Sequence, residues 1–159
     1  MRLAYNVGML HYAEFLIVVA MFASGGTPAT DKIMAQKVVA EVKAVHPEIT
    51  GLELAATRSE QEGCKTIAAT EAKEIGEKCD KDEFTAMKTN QPFVEQEKDG
   101  FDVTVPIHDA AGKIIATAGM DFKAGHGQTK KTVGRQAKQI ASELEKRFTS
   151  RSQLFEPAK

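Results

Sequence analysis

The segment from Gly100 to Phe122 constrains the fold of this chain more than any other part of the sequence. Apolar residues alternate with polar ones from Phe101 to Ile107, which is the two-residue period of a half-buried strand. Asp109 and Gly112 then supply turn chemistry, and a second apolar stretch returns to Phe122. We therefore predict an antiparallel hairpin with one apolar face. The other face of its second strand carries small or polar residues that leave room for a ligand or a neighbouring backbone, namely Ile115, Thr117, Gly119 and Asp121.

The rest of the chain predicts three helices and three more strands. The spacing of apolar residues indicates helices over 32–45 and 130–148, with Thr30 or Asp31 capping the first and Thr129 the second. Asp80 and Glu83 form the pattern of a capping box before a short middle helix over 81–88. Strands are predicted over 49–59, 65–70 and 91–97. Five strands joined mostly by hairpins favour an α+β fold, in which an N-terminal, a short middle and a C-terminal helix pack on an antiparallel sheet.

Residues 15–23 form a short apolar run near the N-terminus. As a helix the run would be roughly 14 Å long, too short for a hydrocarbon core of about 30 Å. Its length fits a secretory signal, and Thr27 and Ala29 suit the cleavage positions. We predict a signal peptide over 1–29, one domain over 30–148, a C-terminal tail over 149–159, and a periplasmic or secreted location. A buried N-terminal helix is the alternative.

Charge and aromatic content limit the ligands that the chain is expected to bind. The formal net charge is −1 with both signs interspersed, so the chain lacks the basic surface that nucleic acid requires. Cleavage after Ala29 would remove Tyr5 and Tyr12, the only tyrosines, from a chain without tryptophan. The mature domain could then not build the aromatic cage that holds quaternary amines.

Short motifs follow one another from Lys65 to Phe122. They are Ile-Ala-Ala at 67–69, Ile-Gly-Glu-Lys at 75–78, the acidic helix start at 80–83, Lys-Thr-Asn-Gln-Pro at 88–92 and Pro-Ile-x-Asp-x-x-Gly-Lys-Ile-Ile at 106–115. In this order they resemble the single Cache (PDC) family of extracellular PAS-like sensor domains. The resemblance implies a ligand- or signal-sensing domain that is not an enzyme, needs no cofactor and acts through a partner such as a membrane receptor or transporter. A homodimer is left open.

The resemblance also implies a ligand pocket between the sheet and the middle helix. The residues expected to line it are Arg58, Phe84, Thr104, Thr117 and Asp121. We expect a small organic acid, held by Arg58, or a neutral metabolite. The alternative for each strand residue is an ordinary solvent-facing position, and no catalytic or metal-binding residue is predicted.

The two cysteines, Cys64 and Cys79, carry the alternative functions. An even pair in an exported protein favours a disulfide, and two free thiols are the other interpretation. A zinc site would also need His108 and His126, at spacings that match no compact zinc pattern. A thiol/disulfide redox or enzyme-accessory protein that uses the two cysteines is the alternative to a sensor. A structural assembly module without a ligand is the third hypothesis.

Overall fold

The computed structural model describes residues 33–159, and the predicted signal peptide and the caps Thr30 and Asp31 lie outside them. The helices are α1 (Met34–Val45), α2 (Lys81–Thr89) and α3 (Lys130–Glu145), and the strands are β1 (Ile49–Thr57), β2 (Cys64–Ala69), β3 (Phe93–Gln96), β4 (Gly100–His108) and β5 (Ile114–Lys123). Two short 3-10 helices cover Ala72–Glu74 and Ser152–Phe155. No helix among the described residues has the length and apolarity to cross a membrane.

The five strands form one antiparallel sheet in the order β2-β1-β5-β4-β3. The last strand, β5, therefore lies at the centre of the sheet, between the first strand and β4. This arrangement confirms the predicted α+β fold with a five-stranded antiparallel sheet and is consistent with a PAS-like architecture.

The main core lies between one face of the sheet and the helices α1 and α3. Alternate residues of the strands, among them Leu54, Val103 and Ala118, are fully buried against Val38 of α1 and Leu144 of α3. Helix α3 begins as predicted, because Thr129 accepts a hydrogen bond from the backbone N–H of Thr132 at 3.2 Å.

Helix α2 packs on β4 and β5 from the opposite face of the sheet. The predicted capping box is present, since the Asp80 side chain accepts from the Asp82 N–H and the Glu83 carboxylate accepts from the Asp80 N–H, both at 2.8 Å. Ala86 is fully buried beneath this helix, yet it lies outside the main core. The face that α2 covers is therefore a second, smaller interior.

The end of α1 and the C-terminal segment differ from the sequence prediction. Val45, the last residue of the predicted first helix, is 68% exposed, because the buried stripe of α1 runs through Ala35, Val38, Val39 and Val42. The segment predicted as a tail packs on the domain. Leu154 is fully buried, and the Glu156 carbonyl accepts a 2.7 Å hydrogen bond from the N–H of Met34 at the start of α1.

Candidate functional site

The sheet face beneath α2 carries a row of acidic residues. In the strand register Asp121 of β5 lies directly opposite Asp102 of β4, and Glu53 of β1 lies opposite Gly119 of β5. Side chains that face each other across antiparallel strands are about 4.5–5.5 Å apart at Cβ, so like charges at such positions destabilise the sheet. The register thus brings together three carboxylates from three strands.

These carboxylates line a cavity of about 190 Å³, which we call the acidic cavity. Its lining residues are Leu52, Glu53, Glu74, Glu77, Asp102, Gly119, Met120 and Asp121. Gly119 keeps it open, because a Cβ atom there would stand only 2.7 Å from Oε1 of Glu53. The hydroxyl of Thr66 holds the other oxygen of Glu53 with a 3.0 Å hydrogen bond.

Burial and mutual repulsion favour the protonated form of these acids. Burial raises the pKa of Glu53 to about 7. The charges of Glu83 and Glu74 act in the same direction, whereas the hydrogen bond from Thr66 acts to lower this pKa. Burial, followed by the charge of Asp121, raises the pKa of Asp102 to about 7. Burial likewise raises the pKa values of Asp121 and Glu74. We therefore expect Glu53 and Asp102 to gain or lose a proton near neutral pH.

Counter-charges are missing from this cavity within the described residues. No lysine, arginine or histidine in residues 33–159 forms an ion pair with Glu53, Asp102 or Asp121. Lys73, the sequence neighbour of Glu74, pairs with Glu71 at 2.7 Å instead. A partly buried cluster of like charges without cations is costly, and a bound cation would remove that cost.

One wall of the acidic cavity is a segment held by a disulfide. Cys64 at the start of β2 is bonded to Cys79, which immediately precedes the N-cap of α2. Between them, residues 74–77 lie along the edge of β2, because the N–H groups of Gly76 and Thr66 donate to the carbonyls of Thr66 and Glu77 at 2.8 and 2.9 Å. We call residues 74–77 the shared wall, because Glu74 and Glu77 line the acidic cavity and Ile75 and Gly76 line a second cavity. The disulfide, which the sequence left open, is present.

The structure brings together only some of the predicted site residues. Thr104, Thr117 and Asp121 lie on the sheet face beneath α2, but Thr104 and Thr117 are almost fully buried, and only Asp121 reaches the acidic cavity. Phe84 is 54% exposed on α2. Arg58 lies elsewhere, with its guanidinium carbon 4.7 Å from the centre of the Phe155 ring. The five residues do not form one pocket.

The candidates for a zinc site are likewise separated. Cys64 and Cys79 are bonded to each other, so neither offers a thiolate. His108 contacts Glu145 at 2.6 Å and Asn90 at 2.7 Å. Across residues 33–159 no group of three or more His, Cys, Asp or Glu side chains is arranged to hold a metal ion.

Sequence reasoning missed most of the acidic cavity. Glu53 and Asp102 occupy polar positions of alternating strands, where a solvent-facing role is the ordinary interpretation. Glu74 and Glu77 lie between the predicted strand over 65–70 and the predicted middle helix. One signal was available in the hairpin, because its register alone places Asp102 opposite Asp121.

Comparisons with known proteins add little to this geometry. No protein-family model and no curated protein matches the chain. Among solved structures, the chain is similar to a type II free methionine-R-sulfoxide reductase from Thermoplasma acidophilum at 16% identity and a TM-score of 0.41, over 72% of this chain and 92% of that chain. A likeness at this level assigns no reaction to this chain.

The comparison nevertheless corrects one expectation. The matched structure is that of an enzyme, and we do not retain the expectation that this chain is not an enzyme. Of the functions left open by the sequence, the thiol/disulfide alternative is the one with a structural fact behind it, because Cys64 and Cys79 are bonded.

Proposed function

We propose that this chain is an exported, Cache-like ligand-binding domain and that the acidic cavity binds a small organic cation. One observation carries the proposal: Glu53, Asp102 and Asp121 converge from three strands on a cavity in which the described residues place no ion-paired cation. A ligand with positive charge would replace the missing partner and allow the carboxylates to ionise.

The donors and the size of the cavity narrow the ligand class. Carboxylates hydrogen-bond N–H groups, and bonds between two charged groups are the strong ones. A volume of about 190 Å³ is below the roughly 300–1,000 Å³ of drug-sized sites. A primary amine or short diamine therefore fits better than a quaternary ammonium, which has no N–H to donate. Arg58, on which the expectation of an organic acid depended, is not among the lining residues.

Calorimetry of the purified chain at pH 8 with 1,4-diaminobutane tests the proposal. We expect binding that weakens at least fivefold at pH 5.5, because burial holds the pKa values of Glu53 and Asp102 at about 7 and the protonated acids lose their charge. Asp102→Asn should weaken binding at pH 8 at least tenfold. Glu60→Gln, at an exposed position outside the cavity, is the matched control.

Two ligand controls distinguish charge-specific binding from nonspecific binding in the cavity. Succinate reverses the charge at a similar length, and tetramethylammonium keeps the charge but has no N–H donor. If either compound binds as tightly as 1,4-diaminobutane and Asp102→Asn changes its affinity, or if Asp102→Asn leaves the affinity for 1,4-diaminobutane unchanged, the acidic cavity is not an amine site.

Thiol–disulfide exchange is the second candidate function, and the Cys64–Cys79 bond favours it. Both cysteines are partly exposed, so a donor thiol has access to the bond. In such an exchange a thiolate of a dithiol donor attacks one sulfur and the Cys64–Cys79 bond breaks. The donor's second thiol then releases the chain, which gains two electrons and two protons, while the donor becomes a disulfide.

Equilibration with defined ratios of reduced and oxidised dithiothreitol tests this candidate. A redox-active bond should have a potential near the −120 to −270 mV of dithiol oxidoreductases. A potential below about −300 mV, typical of structural disulfides, would contradict the redox function while leaving the amine-binding proposal intact.

A further inference from the structure

A second cavity of about 280 Å³ lies on the other side of the shared wall, next to the edge strand β2. We call it the edge pocket. Its apolar lining includes Ile33, Ile67, Ile75 and Phe155, and its polar lining includes Arg58 and Lys65. Glu74 and Glu77 of the shared wall line the acidic cavity, whereas Ile75 and Gly76 line the edge pocket.

The charge of the edge pocket is opposite to that of the acidic cavity. Arg58 and Lys65 both line it, and neither forms an ion pair within the described part of the chain. Glu62 is the one carboxylate among the residues around the pocket. The Phe155 ring, 4.7 Å from the Arg58 guanidinium carbon, holds this cation at the pocket through a cation–π contact and leaves its N–H groups without a carboxylate.

We infer that the edge pocket is a binding site for a small amphipathic anion, a carboxylate with an apolar chain. The guanidinium of Arg58 presents paired N–H donors that match a carboxylate. Ile67, Ile75 and Phe155 would remove the apolar chain of the ligand from water. This site is separate from the proposed amine site in place and in charge, so it stands whether or not the acidic cavity binds a cation.

Calorimetric titration of the full-length chain with sodium octanoate, kept below its micellar concentration, tests the inference. We expect saturable binding that Arg58→Gln weakens at least tenfold, because the charged pair of hydrogen bonds is lost. Arg58→Lys keeps the charge without the planar fork, and we expect an intermediate affinity. Arg135→Gln, at an exposed position of α3 outside the pocket, should change the affinity less than twofold.

Matched probes test the two halves of the ligand separately. 1-Octanol has the same chain without the charge, and butyrate has the same head group with a shorter chain; both should bind at least tenfold more weakly than octanoate. Equal binding of 1-octanol, or an unchanged affinity in Arg58→Gln, would overturn the inference.

Methyl NMR of the unmodified chain locates the site without relying on a variant. Octanoate should shift the methyl signals of Ile67 and Ile75 and leave that of Ile140, which is buried in the main core, in place. Shifts confined to other isoleucines, or no shift at millimolar octanoate, would place the ligand elsewhere and overturn the assignment.

Discussion

Replacing Glu53 with glutamine should make the ligand-free domain more stable at pH 8 and leave its stability little changed at pH 4.5. Burial raises the pKa of Glu53 to about 7 from an ordinary value of 4.5, so the folded chain binds a proton that the unfolded chain has released between these pH values. The stability of the unsubstituted domain therefore falls as pH rises through this window, and the cost is complete above about pH 7.

The size of the effect follows from the same interval. At about 1.4 kcal/mol per pH unit, the interval from 4.5 to about 7 corresponds to an upper limit of roughly 3–4 kcal/mol. Glu53 keeps some contact with solvent, which screens its charge, so we expect Glu53→Gln to add about 1–2 kcal/mol at pH 8. The glutamine oxygen can still accept the hydrogen bond that Thr66 donates, at 3.0 Å, to the glutamate.

Urea unfolding at pH 4.5, 6 and 8 measures this gain, with Glu60→Gln as the matched control at an exposed position. The control should differ from the unsubstituted chain by less than about 0.5 kcal/mol at each pH. If Glu53→Gln is destabilising at pH 8, or if its effect is the same at all three pH values, the carboxyl is not held protonated by burial and the reasoning fails.

Two further predictions concern the scaffold. Leu144→Ala should lower the free energy of unfolding by about 2–5 kcal/mol, because Leu144 is fully buried between α3 and the sheet, whereas Gln139→Ala on the exposed side of α3 should cost less than about 0.5 kcal/mol in the same urea melts. Replacing Cys64 and Cys79 together with serine removes a cross-link between residues 15 apart and should cost about 3 kcal/mol in thermal or urea unfolding. A loss below about 0.5 kcal/mol would show that hydrogen bonding alone holds the shared wall.

The features of the fold that depend on neighbouring residues were predictable from the sequence. The β4–β5 hairpin, the capping box of α2 and the start of α3 each depend on side chains within a few positions, and the structure confirms all three. The end of α3 was not predictable from its apolar pattern. Helix α3 ends at Glu145 although its apolar pattern continues to Phe148, because the next turn is bonded differently, with the Arg147 N–H donating to the Leu144 carbonyl.

The candidate sites were harder to predict because they depend on which strands become neighbours. Period-two alternation shows that Glu53 and Asp102 share polar faces of their strands, but it cannot show that β5 lies between those strands. Arg58 was misplaced for a related reason. It follows the last residue of β1, so the strand alternation no longer fixes its direction, and its position is set by Phe155 from the far end of the chain.

The shared wall connects the disulfide to both cavities. Its residues line two cavities of opposite charge. Glu74 and Glu77 line the acidic cavity, and Ile75 and Gly76 line the edge pocket. Backbone hydrogen bonds to β2 fix its position, and the Cys64–Cys79 bond closes the strand edge just beyond it. Because residues of one short segment line both cavities, we expect reduction of the Cys64–Cys79 bond to affect the two proposed sites together. Redox chemistry at the cysteines and ligand binding at the cavities are therefore compatible functions of the same domain.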